Sequence, residues 1–209
     1  MSNRQKNKHT PFLIVLSSPS GAGKTTICHE VAQKDRNIGY SISATTRPKR
    51  PDEINGRDYF FFNRKEFERK RNQGEFVETA KVYGYYYGTP VKEIKRILGK
   101  GKDVIMDLDT HGMKSIKRLL PNSVAIFITT SNLTELQNRL SRRAEEKTEI
   151  SRRANYLKAE LAAMPKFDYL VRNDDLKVAV DNVLAIIQAE RLNTKRLTKF
   201  SLKFKSRRN

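Results

Sequence analysis

Ten consecutive residues, Ser17-Ser18-Pro19-Ser20-Gly21-Ala22-Gly23-Lys24-Thr25-Thr26, have the chemistry of a phosphate cradle. They follow a short apolar run, Phe12 to Leu16, and open a stretch of helical pattern from about Thr25 to Lys34. A small-residue turn between a buried strand and a helix start aims successive backbone N–H groups at one point, where an anion can sit. Gly21 and Gly23 keep Cβ atoms out of that approach. Lys24 supplies a cation for the β and γ phosphates, and the Thr25 hydroxyl is placed to ligate Mg2+. The first glycine of the usual G-x-x-x-x-G-K-[ST] spacing falls on Ser18. A positive φ at that position would cost a serine about 1 kcal/mol.

A second group of residues suits a second phosphate. Arg47 and Arg50 stand three apart in a proline-containing extended segment and can fork onto one phosphate through their planar guanidinium groups. Other chemistries are poorly served. The single cysteine, Cys28, excludes an intrachain disulfide and a cysteine-rich zinc site. His9, His29 and His111 lack metal-ligand spacing and read as structural or surface residues.

The elements that must position these groups follow from the hydrophobic pattern. Phe12–Leu16, Val104–Met106, Val124–Ile128 and Tyr169–Val171 read as short strands buried on both faces, with Ser41–Ser43 a weaker candidate. Helical patterns over about 112–120, 132–143, 151–163 and 175–192 lie between or after them. Buried strands alternating with helices predict an α/β fold with a parallel, doubly wound sheet. Residues from Arg47 to about Thr89 break the rhythm with prolines, glycines and clustered aromatics, and predict an inserted subdomain of short strands with one helix near Arg64 to Asn72.

The chain has 209 residues, 37% of them hydrophobic and 31% charged, and a formal net charge of +19. No apolar run is long enough to span a bilayer and the N-terminus has no signal-peptide pattern, so a cytoplasmic protein is expected. The basic tails, residues 1–10 and 193–209, hold three and seven of the positive charges with no acid, leaving +9 for residues 11–192. A solvated extension is one reading of the tails; a phosphate-neutralising patch for RNA is the other. Homo-oligomerisation is left open.

The substrate is suggested by a longer pattern. Ser41-Ile42-Ser43-Ala44-Thr45-Thr46-Arg47-Pro48-Lys49-Arg50-Pro51, then Gly56-Arg57-Asp58-Tyr59, Glu75-Phe76-Val77-Glu78 and Tyr86-Tyr87-Gly88-Thr89 together resemble guanylate kinase, and the resemblance runs from about Phe12 to Leu192. It implies a P-loop nucleotide kinase: a parallel sheet flanked by helices (about 11–46 and 96–192), an inserted mixed α+β GMP-binding subdomain (about 47–95) and a helical lid (about 139–155). It also implies Mg2+-dependent transfer of a phosphoryl group from ATP to GMP, with ATP and GMP as the small-molecule partners. By the same resemblance Ser18, Pro19, Ser20, Gly21, Ala22, Gly23, Lys24, Thr25 and Thr26 would hold ATP, with Arg139 and Asn173 on its far side. Arg47, Arg50, Tyr59 and Tyr87 would hold the GMP phosphate, and Glu78, Ser43 and Thr89 would read guanine. Thr25 and Asp107 would face the metal, Asp107 also belonging to the GMP-binding set near the guanine, while Lys24, Arg47, Arg143 and Arg153 would act on the transferred group.

Physical sense supports the base reader: a carboxylate accepts from both N1–H and the 2-amino group of guanine, whereas adenine offers an acceptor at N1 and no 2-amino group. The sequence departs from the family at Ser18, Thr79, His111 and Ala144. A non-catalytic, peptide-binding guanylate-kinase-like domain is the competing reading; retention of Lys24, Thr25, Arg47, Arg50 and Glu78 argues for chemistry.

Overall fold

Leu13–Ser17 (β1) is buried along its whole length, which is why its apolar run does not alternate: both faces of the strand are covered. The computed structural model describes residues 9–19, 21–131, 134 and 157–197. Within them β1 forms a sheet with Ile38–Tyr40 (β2), Asp103–Asp107 (β7), Val124–Thr129 (β8) and Tyr169–Arg172 (β9). The order is β2-β7-β1-β8-β9 and every neighbouring pair is parallel. Ile14 and Leu16 meet Ile27 and Val31 of α1 (Lys24–Lys34) and Val180, Val183 and Ile187 of α5 (Leu176–Arg191). Leu13 and Val15 instead join Ile94 and Ile97 of α3 (Val91–Leu98) and Met113 and Ile116 of α4 (Thr110–Leu119). The two-residue strand period thus feeds two helical layers, one on each face.

The inserted region builds a second sheet from Ala44–Thr45 (β3), Phe60–Phe61 (β4), Phe76–Val82 (β5) and Tyr85–Pro90 (β6), in the order β4-β3-β6-β5. Because β3 belongs to it, the insertion starts before the expected residue 47. Its β5–β6 hairpin turns on Tyr83 and Gly84, with φ of 49° and 86°, as a tight two-residue hairpin requires. Helix α2 (Arg64–Asn72) has the bounds read from the sequence, and Asn63 caps it by accepting from the Glu66 N–H at 2.8 Å. The fully buried Phe67 stacks on Phe76 and on Tyr86, with ring centroids 4.6 and 5.6 Å away. These contacts give the insertion a small aromatic core of its own.

The strand expected at Ser41–Ser43 lies three residues earlier, at β2, and α3 adds a helix to those expected. No described helix is long and apolar enough to cross a membrane. The expected lid, about 139–155, lies outside the described residues.

At the end of the sheet where the strands begin, the buried Asp103 gathers three partners. His9 Nε2 lies 2.9 Å away, the Phe12 N–H donates at 3.2 Å, and Arg191 Nε donates at 2.8 Å. Arg191 also donates to Asp35 at 2.5 Å, so one half-buried guanidinium joins the C-terminal end of α5 to the loop after α1 and the start of β7. Removing one partner of a buried ion pair leaves the other uncompensated. We expect Arg191→Ala to lower unfolding free energy by roughly 3 kcal/mol in urea titration; a loss below the scatter of the measurement would contradict this view of the network.

Candidate active site

The cleft opens at the other end of the same sheet, where β1 and β7 stop and the chain turns. It measures about 860 Å³ and is lined from the phosphate-loop side by Ser18, Gly21, Gly23 and Lys24, and from the insertion by residues of β5 and β6. Gly21 and Gly23 have φ of 90° and 83°. At Gly23 a side chain is excluded twice, since a Cβ there would also stand 2.5 Å from Asn173 Nδ2. Asn173 holds the loop from behind: its Nδ2 donates to the Ala22 carbonyl at 2.8 Å, while its own N–H donates to the Thr129 carbonyl. Asn173 itself does not cap α5; Asp175 does, accepting from the Val178 N–H. The expected backbone cost at Ser18 is corrected. Tyr83 is the one non-glycine with positive φ among the described residues, so Ser18 is accommodated without that strain. Ser20, Arg139, Arg143 and Arg153 lie outside the described residues.

Lys24 opens α1 and its Nζ donates to the Leu108 carbonyl at 3.2 Å, at the end of β7. One residue on, Thr25 Oγ1 donates to Asp107 Oδ2 at 2.6 Å, and the Tyr40 hydroxyl donates to Asp107 Oδ1 at 2.7 Å. Both oxygens of Asp107 are therefore oriented, one from α1 and one from β2. Burial, with the Asp107 charge beside it, pushes the Tyr40 hydroxyl far above the ordinary phenol range, so it stays a donor. Sequence reasoning missed Tyr40, because an aromatic beside a short strand looks like core.

On the insertion side, Arg47 Nη2 donates to Glu53 Oε1 at 2.5 Å and Arg50 presents its N–H to Glu53 Oε2 at 2.8 Å. Glu53, also unread in the sequence, sets the arginine segment against the cleft. Burial opposes ionisation of Glu53, but its bonds to Arg47 and to the Arg50 N–H outweigh that and hold its carboxyl below the usual range. The Arg47 guanidinium lies 5.6 Å from the Tyr59 ring centre, and the Tyr59 and Tyr87 rings meet edge to face at 6.1 Å. Tyr85 and Tyr87 line the cleft while Tyr86, on the other face of β6, packs against Phe67. The strand period thus sorts the three tyrosines between site and core.

Glu78 is 7% exposed on β5 and accepts from Thr89 Oγ1 at 2.7 Å. Thr89 is itself fully buried, and its hydroxyl is engaged with Glu78. Ser43 is also buried in the cleft wall, and its hydroxyl has no partner among the described residues. Burial pushes the Glu78 carboxyl up to about 7, the Asp109 charge adds to that, and the Thr89 bond opposes it. Asp109 itself caps α4 by accepting from the Gly112 N–H at 2.7 Å. Thr79 takes an ordinary place in β5, paired with Gly88. The exposed His111 sits on the first turn of α4, 3.6 Å from Asp109.

Donor types limit what the site could bind as a cation. Thr25 and Asp107 offer hard oxygens, and no cluster of three or more ligating side chains occurs among the described residues. That set fits Mg2+, which binds through one or two protein oxygens together with substrate phosphates and water.

A sequence model of the guanylate kinase family matches residues 10–190. The chain belongs to the guanylate kinase family. It is 44% identical over 190 residues to a guanylate kinase of Carboxydothermus hydrogenoformans, covering 90% of this chain and 93% of that protein. A Thermotoga maritima guanylate kinase is 40% identical over 185 residues, covering 88% and 89%. The crystal structure of the Anaplasma phagocytophilum guanylate kinase superposes with a TM-score of 0.78 at 30% identity, over 91% of this chain and 92% of that one. The resemblance read from the motifs is thus a family relationship that spans both the phosphate loop and the insertion.

The raised Glu78 carboxyl makes a stability prediction. A folded-state value near 7 against an unfolded 4.5 means that the native protein favours the protonated form. The associated stability is fully present below pH 4.5 and is lost as pH rises through 7. Glu78→Gln removes the buried charge, so its melting temperature should exceed that of the unsubstituted protein at pH 8.5, with an advantage of up to about 3 kcal/mol that shrinks toward pH 5. A difference that does not vary with pH would contradict it.

Proposed function

We propose that the cleft aligns ATP and GMP for direct phosphoryl transfer, and that Glu78 selects guanine. The observation that carries this reading is the desolvated Glu78 carboxylate in the same cleft as Lys24 and Ser43, the Ser43 hydroxyl having no partner among the described residues. A buried acceptor and a hydroxyl lining one cleft match guanine's N1–H and 2-amino donors and its O6 acceptor. Adenine would leave the carboxylate without those donors, at a cost of the order of 1–3 kcal/mol for each unmet group.

The protein is an ATP:GMP phosphotransferase. An oxygen of the GMP phosphate attacks the γ-phosphorus of ATP, the bond from that phosphorus to the β–γ bridging oxygen breaks, and GDP and ADP result. The nucleophile is already an anion near neutral pH, so no general base is required and catalysis rests on alignment and charge neutralisation. The Gly21 and Gly23 turn would cradle the donor phosphates, and the Lys24 ammonium would leave the Leu108 carbonyl for the β and γ oxygens. Arg47, Arg50, Tyr59 and Tyr87 would fix the acceptor phosphate, with Glu53 holding Arg47 in place. Mg2+, when bound at Thr25 and Asp107, supplies charge neutralisation of the donor phosphates. Tyr40 keeps Asp107 oriented toward that position. The assignments of Arg139, Arg143 and Arg153 to lid closure belong to the same proposal and rest on the sequence motif.

A coupled assay across nucleoside monophosphates tests the reading. GMP should support ADP formation with a kcat/KM at least about 100-fold above AMP, CMP or UMP, the discrimination expected when buried polar groups go unpaired with the wrong base. Lys24→Ala should lower kcat by roughly 100-fold or more with its melting curve intact. Comparable turnover of AMP would overturn the assignment of Glu78.

A further inference from the structure

The five strands of the main sheet are parallel, so the segments leading into them gather at one end of the sheet, opposite the cleft. Those segments and the adjoining helix ends carry Arg36, Lys100, Lys102, Arg118 and Lys166. The 3-10 turn Thr194–Arg196 adds Lys195, and it is tied to the segment before β1 by the Thr10 N–H donating to the Arg196 carbonyl at 2.8 Å. Five of these six cations are exposed and Lys102 is half-buried. None has a carboxylate partner among the described residues.

The acids at this end are engaged elsewhere. Asp35 and Asp103 are held by Arg191, Asp168 by Lys117 and Glu190 by Arg196. The ion pairs therefore consume the negative charge and leave a surplus of one sign. Favourable placement at a helix C-terminus accounts for Arg118, in the last turn of α4, but not for the loop residues.

His9 and Leu197 form an antiparallel bridge, so the two tails attach to the domain at neighbouring points. Residues 1–8 bring three Lys or Arg and residues 198–209 bring five, with no acid in either.

We propose that this end of the domain is a docking surface for the phosphodiester backbone of nucleic acid. The neutralisation of several phosphates at once, with release of their counterions, supplies the affinity. An anionic membrane suits the surface less well. The exposed Leu119 and Leu120 close α4 on one face of the sheet and Leu192 follows α5 on the other, so they do not make one apolar patch for insertion. The cleft and its phosphate-binding residues take no part, and the proposal does not depend on the phosphotransferase reading.

The test measures fluorescence anisotropy of the full chain with a short single-stranded RNA and the DNA of the same sequence, alongside flotation with phosphatidylglycerol vesicles. Two variants accompany it: the triple substitution Arg36→Glu, Lys100→Glu, Lys102→Glu, and the chain ending at residue 197. RNA and DNA should bind alike. Raising salt from 50 to 200 mM should weaken binding about 100-fold, as expected if about five phosphates of a single strand are neutralised. Each variant should lose at least tenfold in affinity at 50 mM salt, and saturating ATP or GMP should not compete. The melting temperature of each variant identifies a folding failure, and the two variants report independently. Unchanged affinity in both folded variants, competition by ATP or GMP, or binding to vesicles in place of oligonucleotides would overturn the proposal.

Discussion

A carboxylate removed from water and given one hydroxyl partner is the constraint around which the acceptor side of the cleft is built. Glu78 keeps Thr89 as its hydrogen-bond donor, and the backbone around it is shaped to leave room. A Cβ on Gly112 would stand 3.1 Å from Glu78 Oε2, and one on Gly88 would press on the Glu78 carbonyl and on Phe67. The hairpin that carries Glu78 is held in turn by the aromatic stack of Phe67, Phe76 and Tyr86. Such an arrangement costs stability at neutral pH and is tolerated where a ligand can supply the missing donors.

The donor side depends on a second carboxylate with the opposite treatment. Asp107 has both oxygens engaged, by a hydroxyl from the helix after the phosphate loop and by a phenol from the neighbouring strand. It ties α1, β2 and β7 together at the point where the cleft begins. Among the described residues of the loop, positive φ is confined to Gly21 and Gly23, and Asn173, from beyond β9, holds the Ala22 carbonyl between them from behind. One carboxylate is thus left needing a ligand and the other is held rigid. In the proposed reaction this divides base selection from phosphate placement.

Much of this was legible in the sequence because its causes are local. Short apolar runs marked β1, β7, β8 and β9, although β9 is an edge strand that leaves Leu170 exposed instead of being buried on both faces, and Gly21, Gly23 and Lys24 marked the cradle through backbone freedom and charge. The helix expected near Arg64 to Asn72 coincides with α2, which starts directly after its capping residue Asn63. What stayed hidden depends on partners distant in the chain. Tyr40 and Asp107 are 67 residues apart, so nothing near Tyr40 distinguishes a site donor from core. Glu53 lies close in the chain to Arg47 and Arg50, but in an irregular segment no period places a carboxylate against them. Helix α3 carries Val91, Ile94, Ile97 and Leu98 at helical spacing, but it spans only eight residues and follows directly on a strand ending at Pro90, so it merges with the insertion in the sequence. Ser18 looked costly only because the glycine pattern was assumed to require positive φ there.

The most direct test of the central claim follows the proton on Glu78. With its carboxyl near 7 in the free protein, ionisation must accompany binding if the carboxylate accepts from guanine. Calorimetry of GMP binding at pH 7, in buffers of different ionisation enthalpy, measures the protons exchanged. The account predicts a net release that is larger by about half a proton in the unsubstituted protein than in Glu78→Gln; equal exchange in the two, or proton uptake attributable to Glu78, would contradict it.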